Sequence, residues 1–145
     1  MGAFYRSAHE LIALMCKGDR PRTNNIELGR HGRDHCNVWV APGANRGGSS
    51  ANEMLGEHAT TKPVELCADA ILDVTVRGEA VFDPFLGSGT TLIVAQKTGR
   101  RCYGIKLEPG FVGVTIKRWQ RLTGKQAMLA GTDLSFVTLA ENGRG

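Results

Sequence analysis

One stretch constrains this chain more than any other: Val81-Phe82-Asp83-Pro84-Phe85-Leu86-Gly87-Ser88-Gly89-Thr90-Thr91. The apolar run Ala80-Val81-Phe82 reads as a buried strand. Asp83-Pro84 ends it, because proline has no N–H to give to a ladder. Gly87 and Gly89 permit a tight turn and a close backbone approach. Ser88, Thr90 and Thr91 are the expected caps of a helix over Leu92 to about Thr98. Gly99 stands where a C-terminal helix glycine belongs. A second apolar strand, Cys102-Tyr103-Gly104-Ile105, follows directly. Strand, glycine turn, helix, strand is a βαβ unit, and such sheets take ligands in the crevice beyond the strand's C-terminal end. Spacing alone also allows an ordinary strand–helix turn. No lysine follows Gly89, which argues against a nucleoside-triphosphate loop, and a dinucleotide fingerprint would need a third glycine.

The chain has 145 residues, enough for one domain with a modest core. No segment is apolar enough over sufficient length to span a bilayer as a helix. The N-terminus, Met-Gly-Ala-Phe-Tyr-Arg-Ser, has no basic stretch ahead of an apolar one, so a cytoplasmic protein is expected. A net charge of +4 and a pI of about 9.1 suit a polyanionic partner. Cys16, Cys36, Cys67 and Cys102 form no C-x-x-C pair, so reduced thiols are expected. His31, His35 and Cys36 lack a second ligand pair, so no metal site is expected.

Four regions divide the chain. Residues 1–18 contain the apolar run Leu11-Ile12-Ala13-Leu14-Met15-Cys16, read as a strand. Residues 19–56 are loop-rich and basic, with Arg20, Arg22, Arg30, Arg33 and Arg46, and one short strand is expected at Asn37–Val40. Such a segment is either a solvated surface loop or a face for DNA, since arginine grips phosphates and forks onto guanine. Residues 57–129 hold the βαβ unit. A helix is expected from Pro63 to near Arg77-Gly78, with Val64, Cys67, Ala68, Ile71 and Leu72 as its apolar stripe. A third helix is expected from about Pro109 to Thr123, stopped by Gly124. Phe111, Val112, Thr115, Ile116, Trp119 and Leu122 would face inward, and Lys117, Arg118 and Arg121 outward. Residues 130–145 are a tail, with Ala127-Met128-Leu129 before it as an edge-strand candidate and an apolar patch at Phe136-Val137.

Asp-Pro-Phe-Leu-Gly-Ser-Gly-Thr-Thr resembles the cofactor loop of S-adenosylmethionine-dependent DNA methyltransferases that modify exocyclic amines. The resemblance runs from Tyr5 to about Leu129. It implies an α/β, Rossmann-like fold with a mostly parallel sheet, in the permuted order that places target recognition before the cofactor loop. It also implies a restriction-modification type of methyl transfer to adenine N6 or cytosine N4 of double-stranded DNA, with adenine preferred. His58-Ala59-Thr60-Thr61-Lys62-Pro63 is similar to the family's His-Pro-x-x-Lys-Pro turn, which lies against the methionine end of the cofactor. By the resemblance, Asp83, Pro84, Phe85, Gly87, Ser88, Gly89 and Thr90 contact S-adenosylmethionine, His58, Thr60 and Lys62 flank its tail, and residues 19–56 correspond to the target-recognition region.

Two departures stand out. The family carries an acid at the end of the second strand, where a carboxylate accepts from both ribose hydroxyls. Here that position is Lys106, which only donates, and the loss is worth roughly 1.5–3 kcal/mol, or ten- to a hundredfold in affinity. The family's catalytic string, Asp/Asn/Ser-Pro-Pro-aromatic, which holds the flipped base, occurs nowhere in the sequence. The sheet is therefore expected to be incomplete, with an open edge on Val81–Phe82. The chain reads as the C-terminal portion of such an enzyme, either a truncated gene product or one half of a split enzyme whose upstream chain carries the string. The alternative is a non-catalytic remnant or accessory half that binds DNA or cofactor.

Overall fold

The computed structural model describes residues 4, 9–30, 36–40 and 63–142. Six elements follow one another: α1 (Val64–Val74), β1 (Ala80–Asp83), α2 (Thr90–Thr98), β2 (Arg101–Gly104), α3 (Pro109–Thr123) and α4 (Phe136–Asn142). β1 and β2 pair in parallel, with Val81 opposite Cys102 and Phe82 opposite Tyr103. α2 is the crossover between them. The βαβ unit is thus as expected, with each of its elements starting or ending close to its sequence-based bound.

Glycine and proline punctuate these elements for identifiable reasons. Gly99 ends α2 in the left-handed conformation, φ 73°, and its N–H reaches the carbonyls of Ala95 and Gln96. Gly124 does the same for α3, at φ 68°, bonding Gln120. Pro109 opens α3, where its missing N–H has no intrahelical acceptor to lose. Pro63 lies one residue outside α1, as its N-cap.

The core sits between α1 and α2. Ile71, Ile93, Val94 and Ala95 are the buried apolar side chains among the described residues. Two polar clamps close its far end. Arg100 donates from Nε to Thr75 Oγ1 at 3.1 Å, and its terminal nitrogens reach the carbonyls of Thr75 and Thr98, each at 2.7 Å. Asn25 satisfies the last carbonyls of α1: its N–H bonds Asp73 and its side-chain amide bonds Leu72 and Thr75. Helix C-termini leave such carbonyls without intrahelical donors, so one asparagine anchors the 24–27 segment to the fold.

The sheet is small. Val81 and Cys102 are half-buried, whereas Phe82 and Tyr103 stand side by side on the other face, 62% and 55% exposed. Among the described residues no third strand pairs with β1 or β2. The expected strand at Leu11–Cys16 is not formed; those residues are irregular and exposed, with Leu11 94% open. The same holds for Asn37–Val40. An apolar run becomes a strand only where an edge accepts its N–H and C=O groups, and neither run is paired with one here. Ala127–Leu129 makes a single antiparallel bridge, Met128 to Ser135, rather than an edge strand. The Phe136-Val137 patch opens α4, and Phe136 lies against Gly113 of α3.

Candidate functional site

The C-terminal end of β1 is shaped by Asp83. Its Oδ1 accepts the Phe85 N–H at 2.9 Å, and its Oδ2 accepts the Thr91 hydroxyl at 2.6 Å. One carboxylate therefore fixes the turn and ties the strand end to the first turn of α2. Gly87 and Gly89 both take positive φ, 54° and 83°. Gly89 is the N-cap of α2, and its N–H donates to Leu86 O at 2.8 Å. A Cβ on Gly89 would lie 2.6 Å from Thr115 Cγ2, so α3 presses directly on the loop. Thr115 is itself buried, and its hydroxyl has no hydrogen-bond partner.

The expected capping by Ser88, Thr90 and Thr91 is not formed, since α2 has no side-chain cap. Thr91 turns back to Asp83, a charged and hence stronger acceptor. Ser88 and Thr90 are buried with their hydroxyls 3.5 Å apart. Beside them is a residue placed on the outer face of its helix by the sequence reading. Arg118 is half-buried, and its Nη1 donates to Ser88 O at 3.1 Å while lying 3.4 Å from Ser88 Oγ and 3.3 Å from Thr90 Oγ1. A signal existed: Arg118 stands three residues after Thr115, one helical turn along the same face.

Lys106 approaches the loop from just beyond β2. Its Nζ donates to Gly87 O at 2.8 Å and lies 4.7 Å from the centre of the Phe111 ring. The loop also crosses the end of β2. Leu86 N–H bonds Ile105 O at 3.2 Å, and the Leu86 side chain covers Gly104. Phe85 points outward, 89% exposed. Glu108, two residues beyond Lys106, is exposed as the N-cap of α3. Pro84 is exposed in the turn.

Cys102 lies under this end of the sheet. Burial, and secondarily the negative charge of Asp83, push its thiol pKa above the ordinary value. The folded state thus retains this proton longer than the unfolded chain does. The resulting stabilisation is complete below the ordinary thiol range and is lost as pH rises through it.

Of the expected positions, the structure brings Asp83, Pro84, Phe85, Gly87, Ser88, Gly89, Thr90 and Lys106 together around one loop. His58, Thr60 and Lys62 lie outside the described residues, as do Arg33, Arg46, His31 and His35. Among the basic positions, Arg20 is exposed, Arg22 pairs with Glu79, and Arg30 binds both carboxylate oxygens of Glu27 at 2.8 Å. Both partners of the Arg30–Glu27 pair are open to solvent, and such a pair is worth at most about 1 kcal/mol. Among the described residues no group of three or more side chains could hold a metal ion, and no helix is long and apolar enough to cross a membrane.

These elements match a known family. Its model, described as DNA methylase, covers residues 2–117, and the chain belongs to that family. The Type II methyltransferase M2.DpnII of Streptococcus pneumoniae is 44% identical over 120 residues, which are 79% of this chain and 43% of that protein. The Type II methyltransferase M.Cfr9I of Citrobacter freundii is 43% identical over 67 residues, 46% of this chain and 22% of that one. A solved DNA modification methylase from Thermus thermophilus, complexed with S-adenosyl-L-methionine, is 38% identical. It aligns over 41% of this chain and 25% of its own, with a TM-score of 0.40. The chain thus spans about two fifths of the length of M2.DpnII.

Proposed function

We propose that this chain is the S-adenosylmethionine-binding portion of a DNA methylase that transfers a methyl group to an exocyclic amine, adenine N6 ahead of cytosine N4. The observation that carries the reading is the Asp83-pinned glycine loop, which runs from the end of a parallel strand into the N-terminus of α2. Its fit to the cofactor can be judged from the residues themselves. A Cβ at Gly87 would meet only Phe85 O within 4 Å, at 3.7 Å, so bare backbone forms that side of the loop. Phe85 offers an open aromatic face at the rim. Asp83, Pro84, Phe85, Gly87, Ser88, Gly89 and Thr90 would hold the cofactor, with His58, Thr60 and Lys62 toward its methionine end. When bound, the cofactor supplies the sulfonium methyl. The chain's own part is to bind and orient it. Arg20, Arg22, Arg30, Arg33 and Arg46 would meet the phosphates of DNA.

A second reading is the accessory half of a split enzyme, completed by an upstream chain that carries the Pro-Pro-aromatic string. One experiment separates the readings. The purified chain is irradiated with methyl-labelled S-adenosylmethionine, with and without duplex DNA, and both cross-linking to residues 83–90 and label in the DNA are counted. Cross-linking together with labelled DNA supports a methylase active alone. Cross-linking without labelled DNA supports the accessory half. No cross-linking at all overturns the proposal.

Lys106 makes a separate demand. Its ammonium cannot accept the ribose hydroxyls, whereas a glutamate could take both. Lys106→Glu loses one charge-assisted bond, to Gly87 O, and gains two, one to each ribose hydroxyl, each worth about 1.5–3 kcal/mol. The gain is larger than the loss. The variant is expected to bind S-adenosylmethionine about tenfold more tightly by calorimetry. An unchanged or weaker affinity would remove Lys106 from the ribose side of the site.

A further inference from the structure

The glycine loop is held by its carbonyls. Lys106, from beyond β2, takes Gly87 O, and Arg118, from α3, takes Ser88 O. These are consecutive peptide groups between two glycines at positive φ. A trans peptide is planar, with its C=O and N–H pointing in opposite directions. Holding the Gly87 carbonyl therefore fixes the Ser88 N–H, and holding the Ser88 carbonyl fixes the Gly89 N–H. Glycine joints otherwise leave these planes free to turn. The Gly89 N–H is turned inward to Leu86 O, and Thr115 blocks movement of Gly89 toward α3.

We propose that Arg118 is a positioning residue for the cofactor: by gripping the Ser88 carbonyl it sets the orientation of the Ser88–Gly89 peptide and so preorganises the loop. This rests on the reading of the loop as an S-adenosylmethionine site. Arg118 acts through the backbone and is not itself placed against the cofactor. Arg118→Met keeps most of the stem and removes every donor. Arg118→Lys keeps a donor and a charge. A flexible loop must be ordered on binding, and that cost subtracts from affinity.

The test is calorimetric titration of the full chain with S-adenosylhomocysteine, alongside thermal melts. Arg118→Met should raise Kd about ten- to a hundredfold, the range for losing charge-assisted bonds. Arg118→Lys should recover most of that loss, and it carries the test if the methionine variant does not fold. Ile71→Val, a core change remote from the loop, should lower Tm and leave Kd unchanged at temperatures where the chain is folded. The proposal is overturned if Arg118→Met binds like the parent, or if Ile71→Val weakens binding as much. If the parent chain fails to bind while its melt shows a folded protein, the cofactor reading itself falls, an outcome distinct from either of these.

Discussion

Gly89→Ala is expected to destabilise the chain by about 2–5 kcal/mol, from a left-handed backbone penalty of roughly 1–2 and an overpacking penalty of roughly 1–3. The first part arises because Gly89 sits at φ 83°. The second arises because the new Cβ would meet Thr115 Cγ2 at 2.6 Å, and that methyl belongs to a stiff, buried, β-branched side chain. Two further glycines separate the terms. Gly78 has φ 85° with nothing within 4 Å of its Cβ position, so Gly78→Ala carries the backbone penalty alone, about 1–2 kcal/mol. Gly104 is not left-handed, and its Cβ would meet the end of Leu86, which can swing away. Urea unfolding followed by tryptophan fluorescence gives the order Gly89, then Gly78, then Gly104. If Gly89→Ala is no worse than Gly78→Ala, the close approach of α3 to the loop does not exist in solution.

The part of the fold that the sequence revealed is the part marked by residues with one conformational use. Gly99, Gly124 and Pro109 bound helices because of what their backbones permit or lack, and that information is local. The runs Leu11–Cys16 and Asn37–Val40 carry strand character, but a strand also needs an edge to pair with, and that is not written in the run itself. α4 carries a local mark as well. Ser135 sits just before it, and its Oγ accepts the Thr138 N–H at 3.2 Å, a capping signal ahead of Phe136-Val137. Within the site, the loop residues stood out because glycine, proline and aspartate were crowded together. Arg118 did not, because a charged residue on an amphipathic helix is normally solvated. The small glycine loop beside α3 makes room for it, and that depends on a contact between residues thirty apart. Asp83 is expected at the cofactor from its place in the loop; that its oxygens also brace the loop depends on Thr91, eight residues on.

Asp83→Ala is expected to cost about 2–4 kcal/mol, because it removes the acceptor for both the Phe85 N–H and the Thr91 hydroxyl. The value is below the sum of two charge-assisted bonds because the site is half-open and water can replace one partner. Asp83→Asn keeps an acceptor for Phe85, and its amide can donate to Thr91, so about 1 kcal/mol is expected. Thr91→Val removes one bond only and should cost a similar amount. The double variant Asp83→Ala/Thr91→Val must then cost less than the sum of its single changes, since the shared bond is lost once. Strict additivity in denaturant midpoints would show that the bond between them is not formed. Cys102 supplies an independent reading. The Asp83 charge is the lesser of the two causes that raise its thiol pKa, so neutralising Asp83 should lower that pKa only in part. At mildly alkaline pH the thiolate fraction rises, and alkylation of Cys102 should be faster in folded Asp83→Asn than in the parent. An unchanged rate would mean that Asp83 points away from the sheet, and the loop geometry built on it would fail with it.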